Sequence, residues 1–155
     1  MYKKILIPTD GSAFSSTVAA AGVEFARQIN AEVVGLYVAP EYQYPVYVEV
    51  IPPSYPSEEE YQASMRKAGD SYLAIIREAA EVAGLKFSGL VVFSDATARE
   101  IAHAAEQQRC DLMFMGSHGR SGWGQLLLGS VTAKVLSICQ IPVLVQRLKK
   151  DPAHA

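Results

Sequence analysis

The chain has 155 residues, half of them apolar and 19% charged, with a formal net charge of −2: ordinary proportions for one globular domain with a sizeable core. That balance offers no basic surface for nucleic acid and no polybasic run for a membrane surface. Met1-Tyr2-Lys3-Lys4 leads straight into Ile5-Leu6-Ile7, too short for a signal-peptide core, and no apolar stretch approaches ~18 residues, so a soluble cytoplasmic protein is expected.

Strand-like and helix-like patterns alternate along the chain. Ile5 to Ile7 predicts the first strand. Ser12 and Ser15 open a helix whose apolar positions Phe14, Val18, Gly22, Phe25 and Ile29 recur every three or four residues. Val33 to Val38 predicts the second strand. Ala39 to Pro56 is rich in Tyr and Pro, and Pro45, Pro52, Pro53 and Pro56 forbid a regular element there. Ser57 with Glu60 forms a capping box for the longest helix, with a face of Tyr61, Met65, Ala68, Tyr72, Ile75 or Ile76, and Ala79, and with Gly84 as its C-terminal cap. Leu90 to Phe93 is the third expected strand. Thr97 with Glu100 reads as a second capping box, opening a helix with Ile101, Ala102 and Ala105 inward. Leu112 to Met115 predicts the fourth strand, Leu126 to Ile138 the last helix, and Val143 to Val145, after Pro142, the fifth strand.

Short, continuously apolar strands alternating with amphipathic helices imply a parallel sheet covered on both faces. Right-handed crossovers then give a single doubly wound α/β domain over residues 1–148, with 149–155 as a frayed tail. Ligands in such sheets sit beyond the carboxyl ends of the strands, where the winding reverses. Two strand ends carry glycine with polar groups, Pro8-Thr9-Asp10-Gly11 and Gly116-Ser117-His118-Gly119, whereas the second capping box accounts for Ser94 to Thr97. Strands one and four therefore flank the crevice and the order is 3-2-1-4-5; the flavodoxin-like order 2-1-3-4-5 would place the third strand there instead.

Gly116-Ser117-His118-Gly119 follows a buried strand, and Gly129-Ser130-Val131-Thr132 stands nine residues further on. Glycine lets a backbone approach an oxyanion closely, and a helix start offers unpaired N–H groups and a positive dipole end. Gly116 and Gly119 would wrap sugar and phosphate, while Gly129 and the N–H groups of Ser130 and Val131 would meet the phosphates. The Ser130 and Thr132 hydroxyls would be further donors, unless they cap the helix. Asp10 could accept a ribose hydroxyl or hold a divalent ion through water, or it could cap the first helix, a role for which Ser12 competes. At the end of the second strand, Val38 could read an adenine edge through its main chain or simply fill the core. His118 and Arg120 could contact phosphate or point to solvent.

Several chemistries are not written here. There is no GxxxxGK[ST], no dinucleotide fingerprint after the first strand, no GxSxG elbow and no CxxxxxR loop. Cys110 and Cys139 form no CxxC, and His103, His118 and His154 lack metal-ligand spacing; both cysteines read as small core residues. No catalytic residue and no protein metal site is assigned.

The segments Lys4 to Ser12, Met115 to Gly119, Leu128 to Thr132 and Ile141 to Val145 resemble the universal stress protein family over residues 3–147. Its ATP-binding branch carries G-x2-G-x9-G-[ST], matched here by Gly116, Gly119, Gly129 and Ser130. The resemblance implies an adenine nucleotide alpha hydrolase-like fold of order 3-2-1-4-5. It implies that Asp10 and Val38, with Pro8, Thr9, Met115 and Gly116 beside them, contact nucleoside. Gly119, Gly129, Ser130, Val131 and Thr132 would then bind the phosphates of ATP, with Mg²⁺ as an accompanying ion. It further implies a homodimer through the last strand, Ile141 to Gln146, and a nucleotide-dependent stress or signalling role toward a partner protein. A slow ATP-hydrolysing or nucleotide-modifying enzyme on the same fold is the alternative. The Tyr/Pro-rich segment would be a flap or docking surface beside the pocket, or else an inert cover packed on the long helix or the dimer mate.

Overall fold

The computed structural model describes residues 1–118 and 128–147. The expected tail, the residues Gly119 and Arg120, and the start of the last helix at Leu126 lie outside these. Nine elements follow in the expected alternation: β1 Lys4–Thr9, α1 Ala13–Ile29, β2 Glu32–Ala39, α2 Glu58–Val82, β3 Phe87–Phe93, α3 Thr97–Gln107, β4 Leu112–Gly116, α4 Ser130–Ile138 and β5 Val143–Gln146. All five strands are parallel, in the order β3-β2-β1-β4-β5.

Period-two alternation along the strands builds two cores. Ile5, Ile7, Val33, Leu112 and Phe114 meet α1 and α2 on one face. Leu6, Val34, Leu36, Met113 and Met115 meet α3 and α4 on the other. Cys110 belongs to this second core, and burial pushes its thiol up to about 11. Cys139 packs on the same core, so both cysteines are the packing residues expected.

Local chemistry sets the helix ends. The Ser12 hydroxyl accepts from Ser15 N–H at 3.1 Å and caps α1. The Ser57–Glu60 capping box of α2 has both of its reciprocal bonds, at 3.1 and 2.8 Å. At the far end of α2, Gly84 takes φ +71°, with Gly84 N–H bonded to Glu81 O and Leu85 N–H to Ala80 O, a Schellman pair.

Four local expectations differ from the structure. The Thr97–Glu100 box does not form: α3 begins at Thr97 itself, behind Ala96, with no side-chain cap. Ser94 Oγ accepts from Ala96 N–H instead, and Asp95 accepts from Glu41 N–H. The last helix begins at Ser130, with Leu128 and Gly129 outside it. On α2 the buried stripe is Gly69, Leu73, Ile76 and Ala80; Tyr61, Met65, Ala68, Tyr72 and Ala79 flank it, and Ile75 is exposed. Finally, β3 starts three residues before Leu90, because its edge position tolerates the exposed Ser88 and Gly89.

The Tyr/Pro-rich segment is irregular, as its prolines require. Tyr42 stacks edge-on with Tyr44 and Tyr55 and tilts against Tyr61 of α2. Tyr42 donates to Pro56 O at 2.7 Å, Tyr61 to Pro40 O at 2.8 Å, and Tyr44 to the Glu58 carboxylate, which holds the Tyr44 phenol above its ordinary range. Through Tyr61 and Glu58 the segment thus contacts the first turns of α2, while Tyr47 at the tip is fully exposed.

Candidate functional site

A gap between β1 and β4 creates the site. Lys4 to Thr9 of β1 stay paired with β2 along the whole strand, but β1 faces β4 only at Ile5–Leu112 and Leu6–Met113. Beyond those pairs the two carboxyl ends part, and a cavity of about 360 Å³ opens between them. That volume lies in the range of small-molecule sites. Its floor is apolar, made by Leu36, Val38, Ile101 and Met115, and its rim is polar.

Every described residue singled out from the sequence lines this one cavity: Pro8, Thr9, Asp10, Val38, Met115, Gly116, His118, Gly129, Ser130, Val131 and Thr132. Gly119 and Arg120 are outside the described residues. The structure adds Ser15, Tyr37, Pro40 and Thr97, together with the floor residues Leu36 and Ile101, none of which sequence reasoning named as site residues.

The loop after β1 is held by its own side chains. Thr9 Oγ1 accepts from Gly11 N–H at 3.2 Å and from the Ser15 hydroxyl at 2.9 Å; Ser15 Oγ in turn accepts from Asp10 N–H at 3.2 Å. Asp10 Oδ1 accepts from Ser12 N–H at 2.9 Å, an Asx-type turn. Ser12, not Asp10, therefore caps α1, and the Asp10 carboxylate stands at the cavity wall. Gly11 takes φ +77°, and a β-carbon there would run into the Tyr72 ring.

The opposite wall is bound together just as closely. Gly116 ends β4 against Phe14, whose Cε1 would lie 2.7 Å from a β-carbon at this position, so any side chain there would have to displace the ring. Thr132 is buried, and its hydroxyl donates to Gly116 O at 2.8 Å. That hydroxyl is therefore neither a helix cap nor a donor facing the cavity; Thr132 straps α4 to the end of β4. Gly129 N–H donates to Ser117 O at 2.7 Å, and Ser117 N–H donates to Gln146 O at 2.9 Å, which joins the start of α4 to β5.

Gly129 is the N-cap of α4, in an extended conformation, and no side chain caps the helix. The first-turn N–H groups of α4 thus face the cavity edge beside the Ser130 hydroxyl, with the positive end of the helix dipole. Ser117 Oγ and His118 Nδ1 are 2.8 Å apart, and His118 Nε2 is buried with no partner among the described residues. Ser117 is almost wholly buried, so this Ser–His pair cannot present a nucleophile to a substrate.

The Thr132 strap can be tested directly. Thr132→Val preserves shape but removes the donor to Gly116 O, and should cost about 1–3 kcal/mol in urea unfolding. An unchanged unfolding midpoint would show that the bond contributes nothing.

Comparison with known proteins agrees with this geometry. The family model described as "Universal stress protein family" matches residues 1–147. The universal stress protein MJ0531 of Methanocaldococcus jannaschii is 34% identical, over 97% of this chain and 85% of its own length. The solved structure of MJ0577, from the same organism, superposes with a TM-score of 0.79 at 30% identity, covering 97% of this chain and 99% of that one. Two more distant structures share the fold: a universal stress protein in complex with cAMP, with a TM-score of 0.60 and 21% identity over 94% and 97% of the two chains, and one from Archaeoglobus fulgidus in complex with dAMP, with 0.62 and 17% over 93% and 97%.

Proposed function

The chain belongs to the universal stress protein family, and from that premise we propose that it binds ATP in the cavity between β1 and β4 as a nucleotide-dependent stress or signalling protein. The observation that carries this reading is the pairing of an apolar floor with an uncapped helix start at the mouth of one crevice. Adenine lies against Val38, Met115 and Ile101, where the Val38 main chain at the end of β2 reads its edge. Asp10, the one carboxylate among the described residues lining the cavity, accepts a ribose hydroxyl. The phosphates meet the N–H groups of Ser130 and Val131 and the Ser130 hydroxyl, with Gly119 and Arg120 completing the cradle. Mg²⁺ arrives with the phosphates, since no cluster of three metal-ligating side chains stands among the described residues. The solved relatives in complex with cAMP and dAMP support the choice of an adenine nucleotide. Binding is favoured over turnover because Asp10 is engaged in its turn and the Ser117 hydroxyl beside His118 is buried.

A carboxylate at the N-cap of α4 would occupy the phosphate position and repel it. In Gly129→Glu, ATP affinity by calorimetry should fall roughly ten- to a hundred-fold, the equivalent of about 1.5–3 kcal/mol for one charge-assisted hydrogen bond. Unchanged affinity in a folded variant would overturn the assignment.

The same family resemblance leads us to propose a homodimer through β5. Pro142 O and Gln146 O accept from Met113 and Ser117 N–H, so by strand alternation Val143 and Val145 turn their N–H and C=O groups away from β4, to an edge with no further strand among the described residues. Val145→Pro removes an outward donor without breaking a bond to β4. Light scattering should find this variant monomeric at micromolar concentration, where the unchanged protein is a dimer. Equal masses for the two proteins would contradict the β5 contact.

A further inference from the structure

A second groove lies away from the glycine loops, at the β3 edge of the sheet. It encloses about 580 Å³ between α2 and β3, lined by Arg66, Asp70, Leu73, Arg77 and Glu81 of the helix and by Phe87, Ser88, Gly89 and Val91 of the strand. Nothing in the nucleotide reading uses it. Arg66 lies over the Phe93 ring at 5.1 Å and Arg77 over the Phe87 ring at 5.9 Å. Resting there, neither arginine forms an ion pair with the carboxylate one turn further along, Asp70 or Glu81, and none of the four charges has an ionic partner among the described residues.

The order of these charges is self-complementary. Arg66 and Glu81 are equidistant from the midpoint between Leu73 and Ala74, and so are Asp70 and Arg77. An antiparallel copy of α2, related by a two-fold axis at that midpoint, sets Arg66 against Glu81 and Asp70 against Arg77 in both directions. The strand has the same centre: Leu73 packs over Gly89, the middle of the β3 residues that line the groove. Lys86 O accepts from Val33 N–H and Ser94 N–H donates to Ala39 O, so the even-numbered residues face β2. Phe87, Gly89 and Val91 then direct their N–H and C=O groups to the open edge. An antiparallel partner strand centred on Gly89 would pair Gly89 with Gly89 and Phe87 with Val91, each exchanging both hydrogen bonds.

The layer geometry agrees. The side chain of Leu73 sits between Gly35 of β2 and Gly89 of β3, so α2 runs above the gap between those strands. With strands about 4.8 Å apart, two such helices across a β3–β3 seam stand about 10 Å apart, an ordinary helix-packing distance. Charges that merely guard an edge strand against pairing need no such order; alternating signs symmetric about one point serve pairing.

We propose that the α2–β3 edge is a self-association surface for a second copy of this chain, joining the two sheets antiparallel through β3. It is independent of the nucleotide site and of the β5 contact. Exposed ion pairs are individually weak and screened by salt, so this association appears at submillimolar concentration and low ionic strength. The test is sedimentation equilibrium in the Val145→Pro background, which removes the β5 contact. That variant should dimerise at low salt and dissociate as salt rises. Adding Arg66→Glu and Arg77→Glu sets four carboxylates against four and should weaken dimerisation more than about tenfold. Inverting all four charges with Arg66→Glu, Asp70→Arg, Arg77→Glu and Glu81→Arg restores complementarity and should recover the dimer. Circular dichroism identifies any variant that fails to fold, in which case Asp70→Arg with Glu81→Arg makes the same comparison from the opposite sign. A Val145→Pro protein that stays monomeric under these conditions, or a dimer indifferent to the charge reversals, overturns the proposal.

Discussion

The parting of β1 and β4 is the constraint on which the rest of the site depends. In a parallel sheet wound both ways from its centre, α1 leaves β1 for one face while β4 is reached from α3 on the other. The chain therefore leaves the two strands in opposite directions, and among the described residues the two strands stay paired at only two positions. The opening is therefore a property of the winding. Side chains merely furnish it: apolar residues of β2, β4 and α3 form the floor, and main-chain groups at the strand ends and at the start of α4 form the rim.

Keeping such an opening in shape requires rigid walls, and each wall has its own polar fastening. On the β1 side, Thr9, Ser15, Asp10 and Ser12 hold the turn in a closed set of short hydrogen bonds. On the β4 side, Thr132 reaches the Gly116 carbonyl, and Ser117 joins Gly129 to Gln146. The helix start assigned to phosphate and the edge strand assigned to the β5 contact thus share one residue, Ser117. Thr9, Ser117 and Thr132, the buried polar residues among the described ones, are all part of these fastenings.

Much of this was legible in the sequence because strand ends that bear glycine and polar groups announce themselves. Pro8 to Gly11 and Gly116 to His118 mark β1 and β4, and with them the strand order. One step in that reasoning was incorrect: Ser94 to Thr97 was explained by a capping box that does not form, yet the order it supported is the observed one. Thr97 instead lines the cavity, and a search of every strand's carboxyl end, not only those with glycine, would have found it. Ser15 was read only as a helix-opening residue, because its bonds to Thr9 and Asp10 depend on how the chain turns after β1. The α2 stripe was displaced by about one residue because Gly69 carries no apolar signal. Yet at Gly69 the helix packs tightly on Tyr37 and Val91, whose side chains would each lie 2.7 Å from a β-carbon there. The groove at the β3 edge was invisible for a related reason: alternating charges on an exposed helix face look like ordinary solvated polarity until the strand beside them is placed.

The central claim is that an adenine nucleotide sits between β1 and β4 with its phosphates at the start of α4. Backbone NMR during an ATP titration addresses it most directly, because each amide reports its own surroundings without any substitution. The account predicts saturable shifts at Thr9, Asp10, Val38, Gly116, Ser130 and Val131, with the residues of the α2–β3 groove unmoved. Shifts confined to other surfaces, or none at these amides with ATP in excess, would contradict it.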